Sequence, residues 1–413
     1  MKIAVLTLGC RTNQAESFQI EQYLLNAGHT IVDISERPEL CVINTCTVTQ
    51  KADIQSRQTI QKALKIQAKV ILTGCYSELN QSKILSKHQD IEIIKNKDKS
   101  QIINMIPRLS SSNDLNNIRK TRSRPIVKVQ DGCNYSCSYC IVPLARGKSK
   151  SIEINKIIHK INELEASGYN EIVLSGIHLG SYGHDFYPKK SLSVLLKNVL
   201  INSKIPRIRL SSLEVIEIHE EFLELISDNR VCKHLHLPLQ SGDDAILKLM
   251  NRPYSVKDYL SVVEKIFKEF PDIALGTDII AGFPGEGVEE FNNSNQLIKS
   301  IPFSYLHVFP YSLRQGTKAV NLSGHVSEPV KKERVAALRE IGTIKKREFV
   351  YKNIGRILDV IVENKGQKGV VSTSGNYIRV LLDTVNDIES GTLINVQLTG
   401  YKDSIATGMP INP

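Results

Sequence analysis

Tryptophan is absent from the 413 residues, and aromatic side chains make up only 6% of them. Extensive base stacking on aromatic platforms is therefore not advertised. No stretch approaches the ~18–20 consecutive apolar residues that a membrane-spanning helix requires. No membrane partner and a cytoplasmic location are the expectations. Long internal repeats and low-complexity tracts are also missing, and 41% hydrophobic with 23% charged residues is an ordinary globular balance. Wholesale disorder, collagen and coiled coil are excluded. Eight cysteines in so long a chain do not make a disulfide scaffold. The apolar run Ile3–Leu8 before Cys10 is too short for a secretory h-region and reads better as a first β-strand. Reduced, clustered thiols then point to metal or catalysis.

Lysine and arginine number 53 against 43 acids, a net charge of +10. A polyanion such as RNA is one partner that fits; a merely basic protein is the alternative. The length suggests two to four domains.

Three short apolar runs open the chain and each ends at a cysteine: Ile3–Leu8 at Cys10, Cys41–Asn44 at Cys46 and Val70–Thr73 at Cys75. Helical patterns around Gln14–Asn26 and Lys51–Ile66 follow the first two. Strands alternating with helices predict a parallel, right-handed βαβ sheet, whose ligands collect at the carboxyl ends of its strands. Three strand ends would bring three thiols to one edge. Cys41, inside its strand, should be buried core, as should Cys232, which has no partner nearby. A polar stretch, Arg108–Arg124, reads as a linker, giving an N-terminal domain over 1–110 and a linker over 111–124.

From Pro125 to about residue 346 the rhythm is strand–helix, with strands predicted at Ile126–Val129, Glu171–Leu174, Arg207–Leu210, Leu235–Leu239, Ile273–Ile280 and Tyr305–Phe309. Six such units suggest a partial or full (β/α) barrel with chemistry at the carboxyl ends of its strands. After a basic helix, Glu328–Lys346, short alternating strands at Arg356–Glu363, Gly369–Thr373, Tyr377–Leu382 and Leu393–Leu398 predict a small all-β barrel over 347–413. The fold class is thus α/β with an all-β C-terminal unit.

Directly after the strand IVKVQ stands Cys133-Asn-Tyr-Ser-Cys137-Ser-Tyr-Cys140, a C-x3-C-x2-C loop. Three thiolates at this spacing can wrap an iron–sulfur cubane and leave one iron without a protein ligand. Zinc is the alternative, but it wants four ligands, and the nearest candidate, His178, is a strand away.

With Tyr139 before its third cysteine, this loop resembles that of the radical S-adenosylmethionine (SAM) superfamily. GCNYSCSYCIVPLARG, LSGIHLGSYG, RLSSLE, HLPLQSGDDAILKLMNR and TDIIAGFPGE, together with the LGC, NTC and TGC motifs, resemble the methylthiotransferases in the right order over nearly the whole chain. The resemblance implies an N-terminal three-cysteine domain, a radical SAM barrel and a C-terminal TRAM barrel. It implies two [4Fe-4S] clusters: one on Cys133, Cys137 and Cys140 that binds and cleaves SAM, and one on Cys10, Cys46 and Cys75 that carries the sulfur.

SAM contacts are expected from loops after the barrel strands. Candidates are Gly176 and His178, then Ser211, Ser212 and Glu214, then Gln240, with a plain βα turn or helix capping as the alternatives. Gly180, Ser241, Asp278 and Gly282 lie on the same strand ends. Arg146 is a candidate for SAM or a substrate phosphate, or else simply a solvated arginine.

Branches of the family modify isopentenyladenosine or threonylcarbamoyladenosine in tRNA, or an aspartate of a ribosomal protein. GCRTNQAES and HVFPYSLRQGT resemble the threonylcarbamoyladenosine branch, although Arg11-Thr12 departs from its commoner Lys-Val. The implied partners are a tRNA anticodon stem-loop, an external electron donor and a sulfur source. Basic runs fit this: Arg122, Arg124, Lys128, Arg146, Lys148 and Lys150 against Asp131, and a second run along Glu328–Arg347. A non-catalytic iron–sulfur RNA-binding protein is the competing class.

Overall fold

The computed structural model describes residues 1–109, 120–366, 369–383 and 388–411. Most of the linker expected over 111–124 lies outside the described residues.

The first unit is a five-stranded parallel sheet in the order β2-β1-β3-β4-β5. Its strands are β1 (Lys2–Thr7), β2 (Thr30–Ile31), β3 (Leu40–Thr45), β4 (Lys69–Gly74) and β5 (Glu92–Ile93). β3 is buried along its whole length, as expected of a central parallel strand covered on both faces. Cys41 lies fully buried within it. The edge strands β2 and β5 have two residues each, too few to leave a pattern in the sequence.

Next come β6 (Ile126–Lys128), the short antiparallel pair β7 (Gln130–Asp131) and β8 (Lys150–Ser151), and then β9 (Glu171–Ser175), β10 (Arg207–Leu210), β11 (His234–His236), β12 (Ala274–Ala281) and β13 (Tyr305–Pro310). They form two parallel three-stranded sheets, β10-β9-β6 and β11-β12-β13. Ile208 bridges the two by pairing with Val231. The result is a six-stranded arc, the partial barrel of the two alternatives. Its apolar helices cover the outside; alternate residues on the strands line a polar lumen.

The C-terminal unit is a closed barrel, β14-β15-β16-β18-β17. Its strands are β14 (Ile357–Gly366), β15 (Gly369–Ser374), β16 (Arg379–Leu382), β17 (Leu393–Lys402) and β18 (Ile405–Pro410). Two points differ from the sequence reading. The basic helix runs on from Glu328 to Asn353, so the expected boundary at residue 346 falls inside a continuous helix; Val350 on that helix is already core of the C-terminal barrel. The closing strand β18 was not expected. Its turn places Asp403 and Ser404 at φ 51° and 65°, left-handed positions filled without the glycine that would have signalled a hairpin.

Buried arginines dock this barrel on the partial one. Arg209 pairs with Glu171 at 2.8 Å and donates to the carbonyls of Ser374 and Gly375 at 2.8 and 3.2 Å. Arg207 pairs with Glu171 at 2.5 Å and Asp359 at 3.0 Å. Arg124 reaches Glu363 at 2.5 Å. Tyr377 projects from the turn before β16 and stacks on His234 with ring centroids 4.3 Å apart, while its hydroxyl accepts from Arg11 at 3.1 Å.

Candidate iron–sulfur and SAM site

Each cysteine of the N-terminal set sits where its strand stops. Cys10 caps the helix Arg11–Asn26, Cys46 follows β3, and Cys75 begins the helix Cys75–Leu79 directly after β4. β1, β3 and β4 are neighbours, so the three sulfurs share one edge. Two glycines permit this. A Cβ at Gly9 (φ +95°) would stand 2.6 Å from the Cys46 Sγ, and one at Gly74 (φ +99°) would stand 2.2 Å from the Thr45 carbonyl. Only a residue without a side chain fits either position. Asn13 ties the loops together, donating to the carbonyls of Leu8 at 2.7 Å and Thr45 at 3.0 Å.

The other set lies on the loop after β6 and β7. Cys133 donates its N–H to the Gly147 carbonyl at 3.1 Å, and Tyr135 N–H donates to the Cys133 sulfur at 3.4 Å. Arg252 donates to the Cys137 sulfur at 3.2 Å and pairs with Glu214.

The thiols suit a group with a substantial positive charge. Burial first, then repulsion from its neighbours Cys10 and Cys75, pushes Cys46 up to about 11. Burial, with Cys137 and Cys133 beside it, pushes Cys140 up to about 12. Such thiols become thiolates readily only when iron offsets the repulsion. Among the described residues, neither set draws its three sulfurs all within 4.8 Å of one another. One tetrahedral ion with bonds of about 2.3 Å would need them closer, whereas a cubane spreads its ligands wider. Both sets therefore fit an iron–sulfur cluster better than a single zinc ion.

Arg146 joins the two halves. Its guanidinium is fully buried and pairs with Glu16 at 2.9 Å and Asp131 at 2.8 Å. It donates to the Cys75 sulfur at 3.3 Å and also bonds Asn13. The sequence reading offered it to SAM or a phosphate; the structure engages it between the cysteine domain and the barrel. Glu16 is also paired with Lys99 and with Lys128, the latter at 3.0 Å. Burial alone would raise the Glu16 carboxyl, but Lys99, Arg146 and Lys128 hold it well below its ordinary range. Three cations against two carboxylates leave one positive charge beside Cys75.

His178 lies nearer the second set than its sequence distance suggested, with Nδ1 3.8 Å from the Cys133 sulfur. Its other nitrogen is 2.6 Å from Glu217, and its ring packs on Tyr135 with centroids 4.3 Å apart. Burial would lower its pKa, but Cys133 and Glu217 outweigh that and push it up to about 10. Gly176 faces Gln130, where a Cβ would meet the amide oxygen at 2.7 Å. That oxygen accepts from His178 N–H at 2.9 Å. Glu214, Glu217 and His178 thus gather at the cysteine loop. Ser211 is buried, and its hydroxyl has no hydrogen-bond partner among the described residues, an orphaned group that fits a bound polar ligand. Ser212 is exposed, and Gln240 is held at φ +66° by the β11–β12 connection. Cys232 is buried, as expected.

The first basic run is largely paired. Arg122, Arg124, Lys128 and Arg146 are bound to Glu21, Glu363, Glu16 and Asp131; Lys148 and Lys150 stay exposed. Sequence reasoning missed Asn13, Glu16 and Arg252. The first two carried a signal: three and six residues after Cys10, they fall on the same helical face.

Residues 127–298 match the Radical SAM superfamily, and residues 2–96 match the Uncharacterized protein family UPF0004. The chain is 36% identical to threonylcarbamoyladenosine tRNA methylthiotransferase MtaB of Aquifex aeolicus, across 96% of this chain and 100% of that one. It is 33% identical to the protein of that name from Bacillus subtilis, across 97% and 94%. It is 31% identical to tRNA-2-methylthio-N(6)-dimethylallyladenosine synthase of Clostridium tetani, across 95% and 92%. Among solved structures, the radical SAM methyltransferase TsrM of Kitasatospora setae, with cobalamin and a [4Fe-4S] cluster bound, shares the fold. Its TM-score is 0.57 at 14% identity, covering 77% of this chain and 76% of that one.

Proposed function

The chain belongs to the radical SAM methylthiotransferase family, and from that premise we propose that it methylthiolates C2 of N6-threonylcarbamoyladenosine at position 37 of tRNA. It is an enzyme that uses SAM and iron–sulfur clusters. When bound, these groups supply C–H activation, the inserted sulfur and the methyl group. Cys133, Cys137 and Cys140 would hold the SAM-binding cluster, and Cys10, Cys46 and Cys75 the sulfur-carrying one. Arg252 orients Cys137 and Glu214, and Arg146 places its charge at Cys75, so each set has its own buried cationic donor. Gln130 fixes the backbone at His178, and the unpartnered Ser211 hydroxyl is available to SAM.

The reading of the substrate rests on one observation: the threonylcarbamoyladenosine-modifying relatives are 36, 34 and 33% identical over nearly the full length, ahead of the dimethylallyladenosine relative at 31%. The partner would be the anticodon stem-loop, with an electron donor and a sulfur source from outside the chain. Nucleoside mass spectrometry of bulk tRNA tests this. Deleting the gene should remove 2-methylthio-N6-threonylcarbamoyladenosine and accumulate the unthiolated nucleoside. Loss of the methylthio-isopentenyl nucleoside instead overturns the substrate.

A further inference from the structure

One group of metal-ligating side chains lies apart from both cysteine sets. On three adjacent strands of the barrel, β11, β12 and β13, the lumen-facing residues His236, Asp278 and His307 converge. Register puts them there: Asp278 pairs directly with His307, and His236 with Gly276, two residues before Asp278. The His236 Nε2 is 2.9 Å and the His307 Nδ1 3.1 Å from the same oxygen, Asp278 Oδ1. One donor atom from each residue lies within 4.8 Å of the others, the only such trio of His, Cys, Asp or Glu among the described residues.

We propose that His236, Asp278 and His307 bind one divalent first-row transition ion, such as Zn²⁺, in the barrel lumen. Two imidazoles and a carboxylate on one side of an ion are a favoured donor set for these metals and leave further coordination positions open. The trio is open to solvent on its His307 side, because His307 is 53% and Asp278 24% exposed at the side chain, whereas His236 is 7% exposed. The second ring nitrogen of the buried histidine has the partner that a metal-bound imidazole needs: His236 Nδ1 lies 3.0 Å from the Tyr305 hydroxyl, which also bonds His234 at 2.8 Å. Tyr305 therefore fixes which nitrogen of His236 points at Asp278. A hydrogen-bonded trio with no ion is the competing arrangement. The proposal does not depend on the substrate or on which cysteines hold which cluster.

The test uses the full-length, cluster-loaded protein under anaerobic conditions, freed of loosely bound metal with a chelator and titrated with Zn²⁺ or Co²⁺. We expect one equivalent per chain beyond the iron, with cobalt d–d bands of nitrogen and oxygen ligation. His307→Ala and Asp278→Asn should abolish the added equivalent with iron content and cluster absorbance unchanged. Tyr305→Phe should weaken binding about 10–100-fold, as loss of an orienting partner does. His307 is half-exposed and Asn is isosteric with Asp, so these variants keep the fold. No added equivalent in the unaltered protein, equal uptake by both variants, or a sulfur-to-cobalt charge-transfer band would each overturn the site.

Discussion

Replacing Arg146 with Met tests whether the N-terminal cysteine set and its docking on the barrel depend on one buried cation. Its side chain is fully buried and contacts Glu16, Asp131, Asn13 and Cys75. Methionine fills similar volume without charge. Removing one member of a buried ion pair costs about 3–5 kcal/mol, because the partner's charge remains in a poorly solvated place. Glu16 keeps Lys99 and Lys128, and Asp131 is 27% exposed and keeps Lys128 at 3.2 Å. The cost should therefore lie near the lower end, about 3 kcal/mol. For a unfolding unit of 150–250 residues that is a fall of about 6–12 °C in its transition. Several domains mean several transitions, so calorimetry should show the loss in the one that separates the N-terminal sheet from the barrel. Sulfur insertion should fall further than 5′-deoxyadenosine formation, since Cys75 loses its donor while Cys133, Cys137 and Cys140 keep theirs. Arg146→Lys should be intermediate: it keeps the charge but cannot serve four partners with one ammonium. An unchanged transition together with unchanged product yield refutes the reasoning.

Cys46→Ala should lose about half of the cluster iron and all methylthio product yet still form 5′-deoxyadenosine, whereas Cys41→Ala, one residue inside buried β3, should keep its iron; iron analysis and product chromatography decide. Cys133→Ala should form no 5′-deoxyadenosine under reducing conditions. Tyr377→Phe should cost about 1 kcal/mol, one hydrogen bond to Arg11, and Tyr377→Ala more, because the stack on His234 goes with it; denaturant unfolding of the C-terminal barrel reads both. Glu171 gives a pH signature. Burial would raise its pKa, but Arg209, Arg207 and Arg124 outweigh that and hold it at about 2 against an ordinary 4.5. A lowered folded-state value stabilises above the ordinary one, and this contribution is lost as pH falls from about 4.5 to about 2. Glu171→Gln should flatten the acid limb of the stability curve in that window and lower stability at neutral pH.

What the sequence determined by itself was local and periodic. Apolar runs of four to six residues at Ile3, Cys41 and Val70 led to β1, β3 and β4, and with them to cysteines at three strand ends, because in a parallel sheet the end of each run is fixed by the run. The C-x3-C-x2-C spacing determined a three-thiol site, since eight consecutive loop residues can fold only around something small. The helices Arg11–Asn26 and Gln50–Lys65 were legible as the helical patterns around Gln14–Asn26 and Lys51–Ile66.

Tertiary structure alone decided which charges meet. Arg146 reads as a solvated or ligand-binding arginine until Glu16, 130 residues away in sequence, is placed against it. The basic run from Arg122 to Lys150 reads as a nucleic-acid surface until Glu21, Glu16 and Glu363 neutralise most of it. His236, Asp278 and His307 come from three separate strands, and only the sheet register makes them neighbours. β18 carried no glycine signal because the exposed Asp403 and Ser404, not glycines, take the left-handed conformations of its two-residue turn. The physical reason is common to the charge pairs and the His–Asp–His trio. Periodicity and spacing are properties of adjacent residues, whereas pairing across tens to more than a hundred residues depends on free energy that exists only once strands and domains have packed.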